Sequence, residues 1–358
     1  MRKLLHFLPF PFLLAGILPA GEKSASRPEP SVRIQTYHGM CDASGASYLD
    51  TGHFIVGNDE DNVLRIYGRD GGNPVKTVPL DGFVELNRDE KNIETDIEAS
   101  ARIGDDIYWM GSHGRNTEGK IRSNRQRFFA VRATRTGSKT DVEPAGHSYP
   151  HLIRDILGDP KLAGLGLAEA AKPHERRAPD LAPKKRGLNI EGLSRMPGNR
   201  GLLIGFRNPA PGGKALLIPL LNPEAILFGE EKAAFGDPIP LDLGGLSVRS
   251  IEFVESLGAY LIIAGSRRGG DDFRLFTWSG KKGDRVALFP VEMDWMRAEK
   301  FTPEAFVAFP ETGELLLISD DGTLQLRTPG EDAACPCKQL AKPEDRRFRG
   351  AWIPLNRR

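Results

Sequence analysis

Three glutamates, Glu98, Glu191 and Glu304, each sit at the head of a short apolar run, and each is followed 14 to 16 residues later by a polar burst. The bursts are Ser112-His113, Arg207-Asn208 and Asp320-Asp321, with Arg115 close behind the first. Two further bursts, Asn58-Asp59 and Ser266-Arg267-Arg268, follow apolar runs elsewhere. Carboxylates can act as general acids or bases, or as ligands of a hard cation such as calcium. Arginines such as Arg115, Arg207 and Arg267, helped by Asn208, suit a phosphate or carboxylate through bidentate contacts. His113 is a candidate for proton transfer.

Residues so far apart in sequence need a fold that brings them together, and an internal repeat supplies one. DASGASYLDTGHFIVGNDED from Asp42, DIEASARIGDDIYWMGSHGR from Asp96 and NIEGLSRMPGNRGLLIGFRNP from Asn189 share one plan. So do VRSIEFVESLGAYLIIAGSRRGG from Val248 and TPEAFVAFPETGELLLISDDG from Thr302. Each has a small or acidic start, an apolar strand, a hairpin turn (DTG, IGDD, PGNRG, SLG, ETG), a second apolar run and a polar burst. All but one of the repeats begin roughly 50 to 60 residues apart, the length of one four-stranded propeller blade.

Later apolar runs (VLRIYG, TVPLDG, RFFAVRAT, ALLIPLL, PIPLDL, RLFTWSG and RVALFP) fill the outer strands. RGAWIPL near the end and VRIQTYHG near the start are expected to share a blade and close the ring. The sequence therefore predicts an all-β propeller of five blades, or six if the long second interval hides a degenerate one. That interval carries an insertion at about 137–186, helical in part because Leu152, Ile153, Ile156 and Leu157 fall at helical spacing. It reads as packed decoration rather than as a lid.

In a blade the first strand lines the channel and the second runs antiparallel to it. The start of the first and the end of the second thus share one face of the ring. Stacking the repeats aligns Ser44, Glu98, Glu191, Ser250 and Glu304, with a one-residue gap in the fourth. Glutamates gathered around one axis repel unless compensated. A calcium ion held by Glu98, Glu191 and Glu304 would do this, as would arginine pairing, or one glutamate kept protonated as an acid. The plainer alternative is structural, with each carboxylate accepting backbone amides from the next blade.

The first twenty residues, MRKLLHFLPFPFLLAGILPA, read as an export signal, with Arg2 and Lys3 before an apolar core and small residues around Ala20. Residues 21–40 form a lead-in with a possible ring-closing strand, and 41–358 a single domain. No later stretch reaches membrane-spanning length, so the mature chain is expected in the periplasm or medium. The formal charge is +1. Without Arg2 and Lys3 it is −1, which argues against nucleic-acid binding. Three cysteines, Cys41, Cys335 and Cys337, remain. In an oxidising compartment Cys41 is expected to pair with one of the other two and join the chain ends.

TDIEASARIGDDIYWMGSHGRN, the NRQRFFAVR run and LNIEGL together resemble a bacterial family catalogued as domain of unknown function 3616, over about Cys41 to Asp321. That resemblance implies an exported propeller and brings no reaction with it. The IEGL element alone is similar to one in secreted esterase-like phytases, which would make Glu191 a site residue and imply calcium and a phosphoester as ligands. No nucleophile elbow, zinc pair, Walker loop or dinucleotide fingerprint is present. The readings that stand are three. One is a calcium-assisted phosphoester hydrolase that uses Glu191, Glu98 and His113. Another is a non-enzymatic propeller binding a small anion, a glycan or a protein at the same mouth. The third is a set of purely structural glutamates.

Overall fold

The computed structural model describes residues 32–91, 93–137, 139–291, 293–328 and 333–355. The expected export signal lies outside the described residues. Strands dominate, and they form five antiparallel sheets of four, the blades of a propeller. Blade 1 comprises Ala43–Asp50, His53–Asn58, Val63–Gly68 and Lys76–Pro79. Blade 2 comprises Ile97–Ile103, Asp106–Gly111, Phe128–Thr136 and Lys139–Tyr149. Blade 3 comprises Asn189–Arg195, Leu202–Asn208, Ala215–Leu220 and Ile239–Leu241. Blade 4 comprises Ser247–Val254, Ala259–Gly265, Phe273–Trp278 and Ala287–Leu288.

Blade 5 closes the ring with strands from both ends of the chain. Pro303–Phe309 and Glu314–Ser319 are its inner pair, then Arg347–Pro354, and outermost Arg33–His38 from the other terminus. A disulfide between Cys41 and Cys337, with Cα atoms 5.9 Å apart, ties the same region together, and Cys335 stays free. The bridge closes a loop spanning 296 positions, so its main effect falls on the unfolded chain.

Each sheet is apolar on both faces because it packs between two neighbours. Between blades 1 and 5, Tyr37, Phe54, Tyr67, Phe309, Phe348 and Trp352 form one aromatic cluster. Small residues let the blades approach where the ring is narrowest. A Cβ on Gly192 would come within 2.7 Å of Val248, and one on Gly205 within 2.8 Å of the same side chain. The glycine of the NIEGL element is thus required by packing between blades 3 and 4.

The insertion begins later than the sequence suggests, because Lys139–Tyr149 is the outer strand of blade 2. Its helices, Leu152–Gly158 and Leu167–Ala171, are short. Leu152, Ile153 and Ile156 are buried in the core shared by blades 2 and 3, each stabilising the docked insertion by about 1.5–3 kcal/mol. Among the described residues no helix is long and apolar enough to cross a membrane.

Candidate functional site

Every inner strand carries a register shift near its start, and in four of the five blades the residues left out of the pairing include the one the repeat singles out. Ile97 pairs with Gly111 and Ala99 with Met110, leaving Glu98 unpaired. Glu191 is skipped between Ile190 and Gly192, Arg249 between Val248 and Ser250, and Glu304 between Pro303 and Ala305. In blade 1 the shift spans Ser44 and Gly45. A bulge of this kind re-aims one side chain out of the sheet's alternation. The blade-4 member of the ring is therefore Arg249 and not Ser250. The one-residue gap in the sequence alignment hid it, and dropping that gap would have revealed it.

Arg249 is the counterion the glutamates need. Its guanidinium pairs with Glu191 at 3.0 Å and also with Glu304. Arg207, from the end of the second strand of blade 3, reaches the other oxygen of Glu191 at 2.8 Å. Asn189 donates to that same oxygen at 2.7 Å. Arg207 also donates through Nε to the Arg267 carbonyl at 3.0 Å, which links blades 3 and 4. The expected convergence of Glu191 and Arg207 is thus seen. Arg249 is almost fully enclosed, and the neighbouring carboxylates raise its affinity for the proton above that of an ordinary arginine despite the burial.

Glu98 has no such partner and forms no ion pair among the described residues. Burial, then the charges of Glu191, Asp96 and Glu304, hold its carboxyl well above the usual range and so favour its protonated form. Asp96, at the start of the same strand, is paired with Arg125 at 2.9 Å, and Arg125 also binds Glu94 at 2.9 Å.

The half of the mouth formed by blades 1 and 5 is acidic. Asp42, Asp59 and Glu60 can place one oxygen each within 4.8 Å of the others. Lys338 reaches Glu60 at 2.7 Å and lies 3.9 Å from Asp42. One oxygen of Asp59 is buried without a hydrogen-bond partner among the described residues. Burial and the nearby Asp320, Asp42 and Asp96 push the Asp59 carboxyl well up. Burial, chiefly, raises Asp42 to about 6 and Asp320 to about 8. Asp59 and Asp320 belong to the repeated bursts, whereas Asp42 and Asp96 were visible only as the acidic residues that open two of the repeats.

The other candidates lie toward the insertion. His113 is buried in a left-handed backbone conformation, with φ of 54°, and its Nδ1 donates to the Gly111 carbonyl at 2.8 Å. Burial lowers its pKa to about 4, so the ring is neutral, and Nε2 is enclosed without a partner among the described residues. Arg115 donates to the carbonyls of Gly119, Ala171 and Lys172, clasping the end of the second insertion helix. Asn208 donates to the Pro183 carbonyl at 3.0 Å and so holds the insertion from the other side. Arg267 and Arg268 are exposed and line a groove of about 530 Å³ with Asn208, Lys185 and Arg186. Arg127, just before the third strand of blade 2, donates to the carbonyls of Val84, Glu85 and Ser123, and so fastens the connection from blade 1 to blade 2.

No protein-family model matches the chain, and no curated protein does. Several solved structures are similar in outline. The glutaminyl cyclase of Myxococcus xanthus shares 13% identity at a TM-score of 0.42, over 91% of this chain and 97% of that one. A GH43 β-1,3-galactosidase shares 12% at 0.43, over 87% and 90%. A catalytically inactive variant of virginiamycin B lyase from Staphylococcus aureus, crystallised with quinupristin, shares 10% at 0.36, over 90% and 99%. Likeness of this degree transfers none of those activities.

Proposed function

We propose that this is an exported propeller whose acidic channel mouth binds a hard divalent cation of the calcium type, held by Asp42, Asp59 and Glu60 with Asp320 beside them. The observation that carries the reading is the enclosed, unpartnered oxygen of Asp59, facing two further carboxylates. An uncompensated buried carboxylate is costly, and Lys338 offsets only the outer part of this group. Oxygen-only ligands at this spacing suit calcium rather than a softer metal. The sequence placed the cation on Glu98, Glu191 and Glu304. With Arg249 between two of those three, the acidic half supports the cation better. The disulfide and the apolar first twenty residues support export.

A cation here would supply positive charge for an anionic substrate such as a phosphoester. Glu98, whose protonated form burial favours, would then be the proton donor to a leaving group, with Glu191 held nearby by Arg207 and Arg249. Calorimetric titration with calcium separates the two placements. Asp59→Asn is expected to abolish binding while Glu191→Gln retains it. Loss in Glu191→Gln alone would return the cation to the glutamate ring, and no binding by the unaltered protein would remove the metal from the account.

A further inference from the structure

The far end of the channel holds a second cavity, of about 330 Å³, that shares no residue with the acidic mouth. Its walls come mostly from the later halves of the inner strands of blades 1 to 5, including Ser47, Ser100, Ser194, Glu252 and Phe306. Ser47 and Ser100 face each other across blades 1 and 2 with hydroxyls 2.9 Å apart. Glu252 enters from blade 4, and Tyr48, Phe253 and Phe306 supply rings.

The charges around this cavity are already satisfied. Arg195 pairs with Glu255 at 2.7 Å and lies over the Phe253 ring at 5.0 Å. Arg102 donates to the carbonyls of Tyr48, Leu49 and Gly104. Burial, only partly offset by Arg195, lifts the Glu252 carboxyl to about 8. The cavity therefore offers hydroxyls and a carboxylic acid against aromatic walls, with no free charge to attract an ion. Two hydroxyls that bond each other keep both donor and acceptor capacity for a third. Apolar walls with a few convergent polar groups, at this volume, describe a small-molecule pocket.

We infer that this end of the channel is a binding site for a neutral polyhydroxylated molecule of monosaccharide size, with Ser47, Ser100 and Glu252 contacting its hydroxyls and Tyr48, Phe253 and Phe306 covering its carbon faces. The site is independent of the cation at the other mouth.

Saturation-transfer NMR with D-glucose, D-galactose, N-acetyl-D-glucosamine and myo-inositol tests it on the full mature chain, with tetramethylammonium as a charged control. At least one sugar or the inositol should give saturable transfer, and tetramethylammonium none. Ser100→Phe, which fills the cavity, should abolish the signal. Glu252→Leu should weaken binding at least about tenfold, the loss of one to two good hydrogen bonds. Both variants should bind calcium as the unaltered protein does. Should Ser100→Phe fail to fold, Glu252→Leu decides alone. Silence from all four probes, unchanged binding in Glu252→Leu, or a response to tetramethylammonium alone would each overturn the assignment.

Discussion

The Arg249 guanidinium lies between the carboxylates of Glu191 and Glu304, 3.0 Å from the first, so that one cation joins the inner strands of blades 3, 4 and 5. All three residues occupy the bulged position of their strands. A bulge repeated around a ring turns a sheet edge into a constellation, because each blade contributes one re-aimed side chain at the same height. The mouth then divides into a neutralised sector around Glu191 and an acidic sector around Asp59.

Removing the shared cation should be severe. Arg249→Leu would leave two buried carboxylates facing each other, and a loss of about 3–5 kcal/mol is expected in denaturant unfolding. Adding Glu304→Gln to it should recover a substantial part of that loss, since it removes the carboxylate whose ion pair was with Arg249, whereas Glu191 keeps Arg207. A double variant no more stable than Arg249→Leu would show that the pair is not energetically coupled.

Glu98 and Glu191 should respond differently to the same substitution. Burial and the neighbouring carboxylates favour the protonated form of Glu98, so the neutral substitution Glu98→Gln should change stability at neutral pH by less than about 1 kcal/mol. Glu191→Gln leaves both Arg207 and Arg249 short of a counterion, and should cost about 3 kcal/mol or more. Equal losses in the two variants would mean that Glu98 is charged.

Stability should fall as the medium becomes more alkaline. Asp320 keeps its proton in the fold up to about pH 8, whereas in the unfolded chain it loses it near 3.8. Between those limits the folded state binds more protons, so stability is full at the acid end and lost as pH rises. Asp42, raised to about 6, adds the same sign at lower pH. His113 acts oppositely, because its lowered pKa of about 4 favours the fold as pH rises toward 6.5. The clean window is therefore pH 6.5 to 8, where the melting temperature should drop. Millimolar calcium should remove the share of that drop due to Asp320, because a cation replaces the proton there, while the share due to Glu252, also raised to about 8 at the far end, should persist.

Reduction of the Cys41–Cys337 bridge should lower stability by about 2–5 kcal/mol and loosen blade 5 first, seen as faster amide exchange in Arg33–His38 and Arg347–Pro354. Cys335→Ala should leave both unchanged, as that thiol is free.

Much of this was legible in the sequence. Hairpin chemistry and the recurring apolar pairs announce five blades. The closing strands showed in RGAWIPL and VRIQTYHG because both are apolar runs left over after the repeats are assigned. Glu191 and Arg207 were readable as neighbours, since an antiparallel pair returns its end to its own start. Arg249 was not, because a bulge shifts register by one and sequence similarity favoured the serine beside it. Nor could the sequence show that Arg115 and Asn208 serve the insertion. Their carbonyl partners at Ala171, Lys172 and Pro183 carry no side-chain signature. The far cavity was equally hidden, as its serines fall at ordinary strand positions.

The central claim is that protonated carboxylates at the channel mouth mark a cation site. It is tested most directly by titrating calcium into the purified protein at pH 7 in two buffers of different ionisation heat, which counts the protons exchanged. Saturable binding with net proton release from Asp320 is expected, and loss of both in Asp59→Asn. Absence of binding, or binding with no proton released, would contradict it.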